Sequence, residues 1–205
     1  MATALLLVDV QNDFLPGGAL AVPQGDEILP VINQLMDAAE LIFATQDWHP
    51  PNHGSFAAAH KGAKPFEQGQ LDGLPQTFWP THCVQEEHGA RISEAIELSR
   101  VDCVCTKGEN PLVDSYSGFF DNGRRQTTQL HEKLQERRVD ALLVCGLATE
   151  YCVKFTVLDA LRLGYRVRVI RDGCRGLEDE AAEQAFSEMQ QAGAEIVTST
   201  VVLGA

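Results

Sequence analysis

Six short runs, separated by stretches of helical periodicity, constrain this chain more than any other feature. They are Ala4–Val8 (ALLLV), Leu41–Thr45 (LIFAT), Asp102–Thr106 (DCVCT), Ala141–Cys145 (ALLVC), Val167–Arg171 (VRVIR) and Glu195–Ser199 (EIVTS). Each is long enough for one buried strand and too short for a helix. Between them the spacing predicts helices over Asp26–Ala39, Arg91–Leu98, Arg124–Arg138, from Cys152 to a stop at Gly164, and over Asp179–Gln191. In the first, Ile28, Ile32, Leu35, Met36 and Ala39 share a face, and Pro30 lies near the opening turn where proline is tolerated. Strands apolar on both faces and alternating with helices define a parallel sheet covered on both sides. The expected architecture is therefore α/β: a single-domain three-layer αβα sandwich with a six-stranded, mainly parallel, doubly wound sheet. The 205 residues suit one domain, 1–205, with a sizeable core.

Composition narrows the partners. A net charge of -13 argues against nucleic acid and anionic membrane, while 44% apolar and 22% charged residues are ordinary for a globular chain. Met1–Val8 has no basic region, and no apolar run approaches membrane-spanning length, so a cytoplasmic location is expected. Cys83, Cys103, Cys105, Cys145, Cys152 and Cys174 are too few and too embedded in strands for a disulfide framework. Partners reduce to a small-molecule substrate and, at most, further copies of the chain in a small homo-oligomer; a monomer is equally compatible.

Parallel sheets bind ligands beyond the carboxyl ends of their strands, and that rule gathers the polar residues. Asp9 follows the first strand, Asp47 and His49 the second, Lys107 the third and Cys152 the fourth. Cys152 is placed at a helix start, where unpaired amides favour thiolate. A nucleophilic cysteine needs a base for its proton or a cation for its anion, and Asp9 and Lys107 are suited to those tasks. The competing reading is a structural Asp9–Lys107 ion pair beside an inert thiol. In an extended segment Asp47 and His49 point to one side and can face one ion. The long irregular region Gln46–Glu87 offers His82 as a third ligand, with His53 next. Two histidines and a carboxylate suit zinc, iron or manganese. Phe14, Trp79, Tyr116, Phe119 and Tyr151 flank these positions, either as walls for a flat ring or as ordinary packing. Asp172 follows the fifth strand at the same edge, without a defined role.

The residues also carry a resemblance. VDVQNDF (Val8–Phe14) with GGAL (Gly17–Leu20), QDWHPPNH (Gln46–His53), FWPTHC (Phe78–Cys83), KGENPLVDSYSGFFDN (Lys107–Asn122) and GLATEYCVKFTVLDA (Gly146–Ala160) resemble, in order and across nearly the whole chain, the bacterial nicotinamidases or pyrazinamidases of the isochorismatase-like cysteine hydrolases. That resemblance implies hydrolysis of nicotinamide to nicotinate and ammonia through a cysteine thioester, in pyridine-nucleotide salvage, with pyrazinamide a second substrate. It implies Cys152 as nucleophile, Asp9 as proton acceptor and Lys107 as third member. Asp47, His49 and His82 match ligands of one divalent metal, zinc first among the candidates; His53 is an additional candidate and Ser55 a weaker one. Phe14, Leu20, Trp79 and Tyr151 match the ring pocket, to which Tyr116 is added as a flanking aromatic. The amides of Ala148 and Cys152 match an oxyanion hole beside a cis Leu147–Ala148 peptide. The alternatives are a related isochorismatase-family amidase acting on another small amide, a metal-hydroxide hydrolase with Cys152 as bystander, and a non-enzymatic metal-binding module.

Overall fold

The computed structural model describes residues 2–204. Its main sheet has six strands: β1 (Ala2–Val8), β2 (Ile42–Asp47), β5 (Cys103–Lys107), β6 (Val139–Leu147), β7 (Arg166–Arg175) and β8 (Glu195–Val197). They lie in the order β5-β2-β1-β6-β7-β8, and all five neighbouring pairs are parallel. The central strands carry the buried core: Ala4 to Val8 of β1 and Val144, Cys145 and Leu147 of β6 are essentially inaccessible. Helix α1 (Ile28–Ala38) covers one face together with α5 (Ser199–Leu203); α2 (Leu130–Glu136), α3 (Lys154–Arg162) and α4 (Asp179–Gln191) cover the other. The expected three-layer sandwich is present. Among the described residues no helix is long and apolar enough to cross a membrane.

Chain order reverses at the centre of this sheet. From β1 the chain winds outward to β2 and β5; it then returns to β6, on the other side of β1, and winds outward through β7 and β8. The crevice of such a sheet opens at the reversal, between the ends of β1 and β6. Asp9 directly follows β1, and Cys152 lies one turn beyond β6.

Several expected elements differ. Arg91–Leu98 is not a helix; a 3-10 turn forms only at Leu98–Arg100. The Ser93 amide donates to the Val10 carbonyl (2.9 Å) and Ile92 bridges Gln11, so the segment docks against the loop after β1 and buries Ile92 and Ile96 in an irregular conformation. The helix expected over Arg124–Arg138 begins only at Leu130. Before it, the Asp121 carboxylate accepts the Arg125 and Gln126 amides (2.9 Å each), holding a turn where the first helical residues were expected. Gln46–Glu87 contains an antiparallel hairpin, β3 (Gln68–Leu71) and β4 (Leu74–Thr77). Its two-residue turn, Asp72-Gly73, has positive φ at both positions (50° and 77°), the tight-hairpin geometry that an Asp-Gly pair favours. The last strand stops at Val197, and Ser199 opens α5 instead. Asp172 lies within β7, where its carboxylate accepts the Ser199 amide (2.8 Å) and hydroxyl (2.5 Å). It caps the last helix and takes no part in the crevice.

Candidate active site

Three strand ends converge on one ammonium. Asp47 and Lys107 are register partners at the ends of β2 and β5, and the long Lys107 side chain reaches back across β2 toward β1 and β6. Its Nζ donates to Asp47 Oδ1 (2.5 Å) and the Ser115 carbonyl (2.8 Å), pairs with Asp9 Oδ2 (2.9 Å) and lies 3.4 Å from Cys152 Sγ. A buried ammonium persists only when charges and acceptors surround it. Here it has two carboxylates, a carbonyl and a thiol, and they hold its pKa well above the usual lysine value against the opposing effect of burial.

The remaining charges respond to the same cage. Burial pushes the Asp9 carboxyl up; Lys107 opposes this, and the Asp47 charge adds to it. Burial also acts to raise Asp47, but Lys107 and then His49 outweigh it and keep that carboxyl strongly ionised. Cys152 moves opposite to the direction expected for a cysteine at a helix start. Burial pushes its thiol well up, Lys107 only partly offsets this, and Asp9 and Asp47 raise it further. The resting sulfur is therefore a protonated thiol, and it needs a base.

The local backbone explains the position of Cys152. β6 ends at Leu147, the Leu147–Ala148 peptide is cis, and Thr149–Val153 forms a wide π-type turn before α3. The Val153 amide reaches the Ala148 carbonyl (3.2 Å), five residues back, and the Tyr151 amide shares that acceptor (3.1 Å). Cys152 thus sits in a widened turn ahead of the regular helix rather than at the helix start itself. Such turns aim side chains that a regular helix would direct elsewhere. Gly146, with φ of 132°, lets β6 approach β1 closely: a Cβ there would lie 2.0 Å from the Val8 carbonyl oxygen.

Asp9, itself at φ 49°, is held by Thr45, whose hydroxyl donates to Oδ1 (2.6 Å) and accepts the Asp9 amide (3.2 Å). That leaves Oδ2 toward Lys107, and acceptor atoms of Asp9, Asp47 and Cys152 lie within 4.8 Å of one another. Gln11 fixes Asp47 from the backbone side, accepting its amide and donating to its carbonyl (2.8 Å each). Neither Thr45 nor Gln11 was picked out from the sequence. Thr45 is the polar end of the apolar run Leu41–Thr45, which is a usable signal; Gln11 has none.

A second cluster adjoins the first through Asp47. Ligand atoms of Asp47, His49 and His82 lie within 4.8 Å of one another, and all three residues are buried. His49 Nδ1 bonds the Gly108 carbonyl (2.8 Å) and His82 Nδ1 the Pro80 carbonyl (2.7 Å). Each ring therefore donates from Nδ1 to the backbone and turns Nε2 toward the cluster, the atom a metal ligand would use. Burial acts to lower the His49 pKa, but the Asp47 carboxylate outweighs it and raises it, so a metal would have to displace a proton there. Buried carboxylate and imidazole donors with their lone pairs turned to one point fit a divalent ion. His53 stands beside His49, with ring centroids 4.3 Å apart; its Nδ1 bonds Ser55 (2.7 Å), and its buried Nε2 has no partner among the described residues. His53, His49 and Asp114 form another compact donor group. Sequence reasoning overlooked Asp114, which is held by the Gln76 side chain (2.9 Å) and its neighbour's amide.

A pocket opens over both clusters, lined by Phe14, Leu20, Val22, Trp79, Tyr116, Ala148, Tyr151 and Leu177 together with Asp47, His49, His82, Asp114 and Cys152. Trp79 packs edge-on against Tyr151 (4.9 Å between centroids), and Tyr116 closes the group. Phe119 lies elsewhere, buried and stacked on Tyr165. Leu177 and Val22 were not anticipated.

A doubly wound α/β sheet with a buried Asp–Lys–Cys cage at its reversal point, beside a carboxylate–imidazole cluster and an aromatic pocket, has the parts of a hydrolase site built around a cysteine. The chain belongs to the isochorismatase family, whose domain matches residues 3–201. It is 58% identical over 201 residues to the nicotinamidase of Escherichia coli (strain K12), covering 95% of this chain and 94% of the relative. Among solved structures it is similar to the Acinetobacter baumannii nicotinamidase/pyrazinamidase (TM-score 0.94, 43% identity, 98% of each chain). It also resembles the Pyrococcus horikoshii pyrazinamidase in complex with zinc (TM-score 0.78, 39% identity, 97% of this chain and 99% of that one).

Proposed function

We propose that the protein hydrolyses nicotinamide to nicotinate and ammonia, with Cys152 as nucleophile, Asp9 as proton carrier and Lys107 as charge stabiliser; pyrazinamide, a flat ring of similar shape, is the expected second substrate. The observation that carries this reading is the position of one buried ammonium between Asp9 Oδ2 (2.9 Å) and Cys152 Sγ (3.4 Å), with Cys152 itself lining an aromatic pocket. The relatedness to nicotinamidases gives the substrate class.

The ring lies among Phe14, Trp79 and Tyr151, and its carboxamide carbon faces the sulfur. Asp9 Oδ2 takes the thiol proton, helped by the raised proton affinity that burial gives it. The thiolate attacks the carbonyl carbon, and the Ala148 and Cys152 amides hold the oxyanion; each donor of this kind is worth about 3 kcal/mol. Asp9 then passes its proton to the departing amine, so ammonia leaves and a nicotinoyl thioester remains. Water enters, Asp9 takes its proton, the new C–O bond replaces the C–S bond, and the thiol is restored. Lys107 stays protonated throughout and neutralises Asp9, Asp47 and the transient thiolate in turn. Asp47, His49 and His82, with His53 alongside, would hold a divalent ion, which we read as zinc, with iron or manganese as alternatives. When bound, that ion supplies a Lewis-acid contact for a ring nitrogen.

Ammonia release from nicotinamide, measured with and without a chelator and before and after iodoacetamide, tests this function. The expected result is turnover abolished by alkylation and reduced by chelation. Turnover that survives alkylation would make Cys152 a bystander to metal-hydroxide chemistry, and no turnover of any aromatic amide with metal supplied would leave a binding module.

A further inference from the structure

One buried carboxylate in the nucleophile turn is used by none of the steps above. Glu150, two residues before Cys152, is 7% exposed. Its Oε1 accepts the backbone amides of Leu177 (2.8 Å) and Glu178 (3.1 Å), while its Oε2 is buried without a partner among the described residues. Those amides belong to the short connection from β7 to α4, and Glu178 immediately precedes the helix without any cap from its own side chain. Gly176 makes the approach possible: a Cβ at that position would stand 2.7 Å from Glu150 Oε2 and 2.7 Å from the Ala182 Cβ. The connection also contributes Leu177 to the lining of the pocket. A side chain from the turn that aims the sulfur thus grips the backbone of the segment that shapes the pocket.

We infer that Glu150 is a positioning residue for substrate fit, locking the Leu177 wall to the Cys152 turn so that the ring and the sulfur keep a fixed separation. This rests on the pocket being the ring site. Burial pushes the Glu150 carboxyl up, and the backbone amides it accepts, Glu178 and Leu177 among them, oppose this. Glutamine, which keeps the acceptor oxygen, should therefore replace it, whereas alanine should release the loop.

The test is steady-state hydrolysis of nicotinamide by wild type, Glu150→Ala, Glu150→Gln, Leu177→Ala and the Glu150→Ala/Leu177→Ala pair, with folding monitored by circular dichroism. Glu150→Ala should raise KM by about tenfold, the size expected for losing a contact in an apolar pocket, with a much smaller change in kcat. Glu150→Gln should restore KM to near the wild-type value. The double variant should raise KM no further than Leu177→Ala alone, because both changes remove one wall. If Glu150→Ala does not fold, Gly176→Ala carries the test, since its added methyl pushes the loop off the carboxylate and should raise KM in the same way. A folded Glu150→Ala with unchanged KM, or KM effects that multiply in the double variant, would overturn the inference. If wild type itself released no ammonia, the functional reading would fail instead, and the two failures are distinct.

Discussion

Replacing Lys107 with methionine removes a charge and leaves the volume nearly unchanged, so the charge cage is tested without opening a cavity. In the wild type the ammonium is 2.9 Å from Asp9 and 2.5 Å from Asp47, and all three side chains are almost wholly buried. Removing one partner of a buried ion pair costs about 3–5 kcal/mol, because the charge left behind has lost its solvent and its counterion. Asp9 is left without a counter-charge and Asp47 keeps only the support of His49, which places the expected loss toward the upper end. For a chain of this size each kcal/mol is worth about 2–4 °C, so the melting temperature should fall by about 10–20 °C at pH 8. The sign of the pH dependence follows from the stranded acids. With Lys107 gone, only the Thr45 hydrogen bond opposes the burial that already raises Asp9, and the Asp47 charge adds to that rise. The folded variant therefore binds protons more readily than its unfolded chain and regains stability as pH falls from 8 toward 5. Adding Asp9→Asn to Lys107→Met should recover part of the loss, giving a coupling of about 1–3 kcal/mol. Thermal melts of the four proteins of this cycle at pH 8 and pH 5 provide the assay. A Lys107→Met variant that melts within a few degrees of wild type at pH 8, or a strictly additive double variant, would refute the cage.

Two further outcomes follow from the donor cluster. His49→Ala should lose bound metal before it loses its fold, because Nδ1 is the only ring atom that serves the backbone, through Gly108 (2.8 Å); metal analysis of the purified variant checks this, and full retention of metal would remove His49 from the ligand set. In the metal-free protein, burial first and then the neighbouring His49 depress His53 and His82 to about 4. Their unfolded counterparts titrate near 6.5, so the stability these two neutral rings contribute is complete above that value. It should fall by about 1.4 kcal/mol per pH unit per histidine as pH drops from 6.5 to 4, and level off below. Urea melts of chelated protein across that range measure the slope, and a flat profile would mean that these rings are not buried neutral.

Much of the site was legible because a parallel sheet converts strand ends into neighbours. Asp9, Asp47, His49, Lys107 and Cys152 each stand just past an apolar run, and the structure brings them together at one edge. What the runs could not reveal is that Lys107 joins two groups that look separate in sequence: it reaches Asp9 and Asp47 at once because β5 lies two strands from β1 and the lysine spans β2. The direction of the Cys152 shift was also hidden, since it depends on burial and on two carboxylates contributed by other strands. Periodicity misled at Arg91–Leu98, where Ile92 and Ile96 have helical spacing but are buried by docking on Val10 and Gln11. The β3–β4 hairpin had a readable mark in Asp72-Gly73, but its strands are too short and polar to stand out. Glu150 carries no mark at all, because its partners are backbone amides from a loop 27 residues away.

The sulfur's part in the chemistry can be seen directly by quenching enzyme and nicotinamide in acid during turnover and locating any acyl group by peptide mass spectrometry. The account predicts a nicotinoyl group on the peptide carrying Cys152 and none in Cys152→Ala, which should release no ammonia. Ammonia release by Cys152→Ala at the wild-type rate, or an acyl group on a different residue, would contradict it.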